Sequence, residues 1–221
     1  MATKTDYSIY EVQNSPFVIG IRVIMVLLGL SALIYSNVQS IINGAPLIGA
    51  DKYFTDQSNA FVVAWVLLAL FWRNQPEKLQ KICGKLRGAV TLYITITFLV
   101  YGIILAPMSA APTGLDAVAN LIVHYINPVL FIADFFYTER KNYDWSSIGS
   151  WMIYPHLYLA FSFIFGTITH GDYIYFFLNY PNLGFAGYLK WYLILIALFL
   201  IISVIYISYN KYVKDKLFTT S

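Results

Sequence analysis

The stretch Ala117-Val-Ala-Asn-Leu-Ile-Val-His-Tyr-Ile-Asn-Pro-Val-Leu-Phe-Ile-Ala133 is apolar, and Asn120, His124 and Asn127 interrupt it. Read as a helix at about 100° per residue, these polar groups fall on one narrow face. A polar stripe in a membrane helix is costly unless it faces a partner, a cavity or a substrate. His124 is therefore the foremost candidate for a functional residue in this chain.

The whole chain supports the membrane reading. It has 221 residues, 59% hydrophobic and 11% charged, with a mean hydropathy of +0.64. Soluble domains carry about 25% charged residues. The net charge is only +3, and the basic residues group in loops, so nucleic-acid binding is excluded as a function class. One cysteine, Cys83, cannot form an internal disulfide or a thiolate metal cage. It sits among Lys81, Lys85 and Arg87, where an idle thiol is expected rather than a lipidated one. The polar N-terminus lacks a basic-then-apolar signal with a small-residue cleavage site.

Six apolar segments reach the roughly 20 residues needed to cross a bilayer: Pro16–Asn37, Tyr53–Trp72, Ala89–Ala106, Ala117–Tyr137, Ser150–Thr169 and Gly187–Tyr209. Gly and Pro punctuate the connections, as in Asn43-Gly-Ala-Pro46 and Pro181 to Gly184. No connection could house a soluble domain, and no internal repeat is evident. The expected fold is all-α, a single six-helix transmembrane bundle over residues 1–221. Arg73, Lys78, Lys81, Lys85 and Arg87 lie on one side with Arg140, Lys141, Lys211, Lys214 and Lys216, against Lys52 and Lys190 on the other. The positive-inside rule then places both termini in the cytoplasm. Trp65, Trp72, Trp145, Trp151 and Trp191 read mostly as interfacial anchors.

In that topology Thr55, near the start of the second span, and His124, in the fourth, both lie toward the outer leaflet. Their depths differ by roughly 7–8 Å at 1.5 Å per residue. The first turn of the second span is polar throughout (Thr55, Asp56, Gln57, Ser58, Asn59), and Thr55 and Asn59 share a face. The chemistry that suits these groups is nucleophilic acyl transfer. A hydroxyl needs a base within hydrogen-bond reach, neutral histidine can take its proton, and a third group can hold the tautomer. Asp56, Asn120 or Asn127 could orient the ring, or donate to an oxyanion. The plainer alternatives are a packing hydrogen bond for His124 and a helix N-cap for Thr55.

Other polar groups carry less. His156 lies in the cytoplasmic half while His124 and His170 lie toward the outside, and no local ligand pair exists, so no metal is expected. Nothing in the sequence calls for a cofactor. Arg22 and Asp134 match in depth and are expected to pair or, for Arg22, to snorkel. Thr91 and Thr95 are expected to bond back to their own helix. The aromatic segment Gly171–Leu178 could form a lid or lie in the interface.

Phe54-Thr55 opening the second span, Asn120-x-x-x-His124 followed by Pro128, and Gly171-x-Tyr173-x-Tyr175-x-Phe177-Leu178 occur in this order. The chain thereby resembles the androgen-induced, androgen-dependent family of six-helix membrane proteins. Val90-Thr-Leu-Tyr-Ile-Thr-Ile-Thr97 and Asn120-Leu-Ile-Val-His124 look especially like its bacterial branch. The resemblance implies a bacterial cell membrane and a threonine hydrolase acting on fatty acid esters of hydroxy fatty acids. It implies Thr55 as nucleophile and His124 as base. Asp56, Asn59, Asn120, Asn127, Tyr173 and Tyr175 are then the residues expected to bind or orient substrate. The chain departs from the pattern after Thr55, where Asp-Gln-Ser-Asn is more polar, and at Phe176, where the family has Pro.

The expected function is an intramembrane esterase whose partner is a membrane lipid or fatty-acyl ester. The alternatives are a non-enzymatic protein that binds or transports a lipid or small molecule, with Arg22–Asp134 as a gate, and a structural protein whose polar stripe only joins helices.

Overall fold

Long apolar segments in lipid must satisfy their backbone internally, and a helix does so within one segment. The computed structural model describes residues 11–44, 49, 51–139 and 143–213. Among them there is no strand, and six helices are long and apolar enough to cross a membrane: Pro16–Ile42, Phe54–Phe71, Leu86–Met108, Gly114–Thr138, Ser147–Ile168 and Tyr180–Tyr212. They are called spans one to six below. Their outward faces are apolar too: Leu27, Ile34, Phe71, Ile103 and Ile153 are all exposed. Helices apolar all round belong in lipid. Arg140, Lys141, Lys214 and Lys216 lie outside the described residues, as do the first ten residues and the Cys83 side chain.

Contacts divide the chain into two compact units, Met1–Lys141 and Asn142–Ser221. The first holds spans one to four and the short helix Pro76–Cys83. The second holds spans five and six, where the Tyr143 backbone N–H donates to Asn210 Oδ1 at 2.8 Å.

Several boundaries differ from the sequence reading for identifiable reasons. Span one runs on to Ile42 because Asn37 does not end it: its amide donates to the Leu33 carbonyl and to Asp51 Oδ1. Span six begins at Tyr180 rather than near Gly187. Pro181 sits in its first turn, where a missing N–H costs nothing, and Asn179 Oδ1 accepts from the Asn182 N–H at 3.2 Å. Gly184, at φ 64°, kinks that first turn away from the rest. Trp65 and Trp151 are buried, which corrects their reading as interfacial anchors. Trp65 packs edge-on against Phe131 at 5.6 Å, and Trp151 against Tyr143 at 5.2 Å.

The first unit is layered along its axis. Gly29, Asn59, Thr97 and Asn127 contribute to one level, one residue from each span. Met25, Val62, Ile94 and Phe131 form the next level and are completely or almost completely buried. Beyond them lie Arg22, Trp65, Arg87 and Asp134. Arg22 grips Asp134 with two bonds, Nε to Oδ1 at 3.1 Å and Nη2 to Oδ2 at 3.2 Å. Arg87, expected in a loop, is buried in the first turn of span three. Its Nη2 lies 2.7 Å from Asp134 Oδ2 and its Nη1 3.6 Å from Glu139 Oε2. Its guanidinium also stacks over Trp65, 4.5 Å from the ring centroid. Two carboxylates facing two guanidiniums neutralise the group, which is the condition for burying charge. This explains why span three starts before Ala89.

Candidate active site

Two features of the sequence shape the backbone here. Pro107 and Pro128 have no N–H to give and crowd the carbonyl four residues back. Ahead of each, the helix widens into a π turn, at Tyr101–Leu105 in span three and Ile122–Ile126 in span four. The wider turn moves the bond to i→i+5. Thus the Ala106 N–H donates to the Tyr101 carbonyl, and the Asn127 N–H to the Ile122 carbonyl. The Val123 carbonyl is left over, because Asn127 has turned to Ile122 and Pro128 has no donor. Asn59 of span two supplies the missing bond, its Nδ2 donating to the Val123 oxygen at 2.9 Å.

The same Nδ2 donates to the Thr55 carbonyl at 2.9 Å. Ser58 Oγ donates to that carbonyl as well, at 3.0 Å, and stands 2.7 Å from Thr97 Oγ1 of span three. Thr55 is therefore held through its backbone while its hydroxyl is free to point elsewhere. That hydroxyl lies 3.2 Å from His124 Nε2. Thr55 is not the N-cap; Tyr53 takes that place and makes no side-chain cap bond. The depth gap expected between the two residues is closed by the approach of spans two and four.

The tautomer follows from the second contact of the ring. His124 Nδ1 lies 3.1 Å from the Asn120 carbonyl oxygen. A carbonyl only accepts, so Nδ1 carries the proton. In the neutral imidazole Nε2 is then the acceptor, and it accepts from the Thr55 hydroxyl. Both residues are half-buried. The ring is covered on one face by Tyr101, whose centroid is 3.5 Å away at an interplanar angle of 16°. Tyr125 meets Tyr101 edge-on at 5.7 Å and Phe98 at 5.9 Å.

The other expected site residues have distinct places. Asn120 serves His124 with its backbone oxygen rather than its amide. Asn127 is fully buried and donates to Asn59 Oδ1 at 3.4 Å, so it supports Asn59 instead of the imidazole. Its own Oδ1 is buried without a partner. Asp56 is buried, and the hydrogen bonds of Thr55 and His124 do not include it. Tyr173 and Tyr175 belong to the second unit. There Tyr173 lies against Gly166, where a Cβ would come within 2.2 Å of its ring, and Tyr175 stacks on Phe177 at 5.0 Å. His156 Nδ1 donates to the Met152 carbonyl at 2.7 Å, a bond within its own helix. Thr91 and Thr95 likewise bond back, to the Arg87 and Thr91 carbonyls.

Three contributors were not visible as such in the sequence. Tyr101 carried no signal beyond a Pro six residues on. Gly29 is one of several small residues in Leu28-Gly-Leu-Ser-Ala-Leu33, yet a Cβ there would stand 2.6 Å from both Asn127 Nδ2 and Val63 Cγ2. Ser58 was legible only as part of a polar turn.

The chain is an all-α, multi-pass membrane protein with a threonine–histidine pair in its first unit. In comparisons with known proteins, no family model, no curated protein and no solved structure matches it.

Proposed function

We propose that the protein is an intramembrane lipid esterase with Thr55 as nucleophile and His124 as general base. The observation that carries this reading is the 3.2 Å contact between Thr55 Oγ1 and His124 Nε2, with the tautomer set by the Asn120 carbonyl. Thr55 Oγ attacks the ester carbonyl carbon while its proton passes to Nε2. The tetrahedral adduct collapses, the ester C–O bond breaks, and His124 returns the proton to the departing alkoxide. Water then attacks the acyl-threonine, gives a proton to His124, and releases a carboxylic acid as Thr55 recovers its proton. The substrate is a fatty-acyl ester that enters laterally from lipid. The family resemblance favours fatty acid esters of hydroxy fatty acids, and the bacterial cell membrane as the location.

The apolar level of Met25, Val62, Ile94 and Phe131 supports an enzyme over a transporter. Among the described residues it lies between the Thr55–His124 pair and the Arg22–Arg87–Asp134 cluster, and the hydroxyls of Thr91 and Thr95 beside it donate to carbonyls of their own helix. The test is labelling of the purified protein by a fluorophosphonate lipid probe. Labelling of wild type that is lost in both Thr55→Ala and His124→Ala, with unchanged melting, is the expected result. Equal labelling of wild type and Thr55→Ala sinks the proposal.

A further inference from the structure

The Tyr101 and His124 rings are nearly parallel, at 16°, with centroids only 3.5 Å apart. Two neutral aromatic rings disfavour this face-to-face arrangement. Their quadrupoles repel, and such pairs adopt offset or edge-on geometry with centroids 4.5–7 Å apart. The neighbouring pairs in this unit obey that rule: Tyr101–Tyr125 and Phe98–Tyr125 meet at 82° and 89°. The Tyr101–His124 stack is the exception, and it occurs on the imidazole that contacts Thr55.

The arrangement suits a different charge state. A cation centred over the electron-rich face of a tyrosine is attracted by the same quadrupole, more strongly where water is excluded. Removing the Thr55 proton turns His124 into that cation. We infer that Tyr101 is a positioning residue that stabilises the imidazolium form of His124 as the threonine is deprotonated. This role rests on the esterase reading for its place in the reaction, but the ring-on-ring effect is a property of the pair alone. It is a preorganised interaction stronger in the transition state than in the ground state, which is the condition for accelerating a chemical step. The π turn that begins at Tyr101 and the one that contains His124 fix the two rings from separate helices. The Tyr101 hydroxyl makes no hydrogen bond among the described residues, so the face of the ring, not its hydroxyl, carries the effect.

The experiment compares Tyr101→Phe with Tyr101→pentafluorophenylalanine. The two side chains have the same ring shape, but fluorination reverses the quadrupole. Fluorophosphonate labelling of Thr55 is one readout. The second is acylation of His124 by diethyl pyrocarbonate, followed on the His124 peptide by mass spectrometry; it places positive charge on the same ring without Thr55. Melting temperature controls for folding. Tyr101→Phe is expected to keep both rates within about twofold of wild type, and the fluorinated ring to lower both by about three- to tenfold. Equal rates for the two variants at equal stability overturn the inference. Should Thr55→Ala label like wild type while His124 acylation still falls with the fluorinated ring, the esterase reading fails and the ring-on-ring effect of Tyr101 on His124 stands. A fluorinated variant that melts lower than Tyr101→Phe but reacts at the same rates assigns the ring to packing and also overturns the inference.

Discussion

The Asn59 amide donates to the Val123 carbonyl at 2.9 Å, and Val123 immediately precedes the histidine that meets Thr55. Because the same nitrogen also holds the Thr55 carbonyl, one side chain sets the spacing between nucleophile and base. Its oxygen is occupied in turn by Asn127. The π turn before Pro128 is what leaves the Val123 carbonyl for Asn59 to find.

Asn59→Ala removes both bonds and leaves a buried carbonyl unsatisfied. A loss of about 1–3 kcal/mol is expected, read as lower thermal stability in detergent. Thr55 labelling should fall further than stability does, since the contact with His124 loses its spacer. Labelling unchanged from wild type would show that the Thr55–His124 contact does not depend on Asn59.

Gly29 lies where a methyl group would strike Asn127 and Val63, each at 2.6 Å. Gly29→Ala is expected to destabilise by about 1–3 kcal/mol, the usual cost of overpacking a filled site. Gly20 in the same span has nothing near its Cβ position, so Gly20→Ala is the matched control. Helix propensity should make that control neutral or slightly stabilising. Equal melting of the two variants would contradict the close approach of spans one, two and four.

Pro128 withholds the N–H that an α-helix would direct to the His124 carbonyl. Pro128→Ala restores it, at a position where proline costs about 3 kcal/mol relative to alanine in a helix interior. The variant is expected to fold at least as well as wild type. If the π turn relaxes, His124 rotates away from Thr55 and labelling drops by about tenfold or more, in line with the typical worth of general base catalysis. A more stable protein with full labelling would mean that the π turn is held by tertiary contacts rather than by Pro128.

Asp134 receives both Arg22 and Arg87. Asp134→Asn removes one of the two carboxylates that balance the buried guanidiniums and leaves Glu139 beside Arg87, and removing one partner from a buried ion group costs about 3–5 kcal/mol. Little or no folded protein is the expected yield, assessed by gel filtration in detergent. Robust folding of this variant would show that Glu139 and Thr138 suffice to hold both cations.

The sequence by itself determined the helices. Apolar length and the demand that backbone groups be satisfied within lipid leave little else to form, and all six spans form where expected, with the end of span one and the start of span six displaced by five and seven residues. It also determined which side chains could do chemistry, since Thr55, Asn59 and His124 are costly where they stand. Only the tertiary structure decided how they are used. A uniform 100° step placed Asn120, His124 and Asn127 on one face, but the π turn at Ile122–Ile126 inserts a wider step. Asn127 turns to Asn59, and Asn120 serves by its carbonyl. The meeting of Thr55 with His124, the stack of Tyr101 on the imidazole and the burial of Arg87 beside Asp134 all join residues far apart in the chain. Local periodicity carries no information about such contacts. They are set by how closely the helices approach, and that depends on a single missing side chain at Gly29 and on backbone carbonyls that proline leaves without donors.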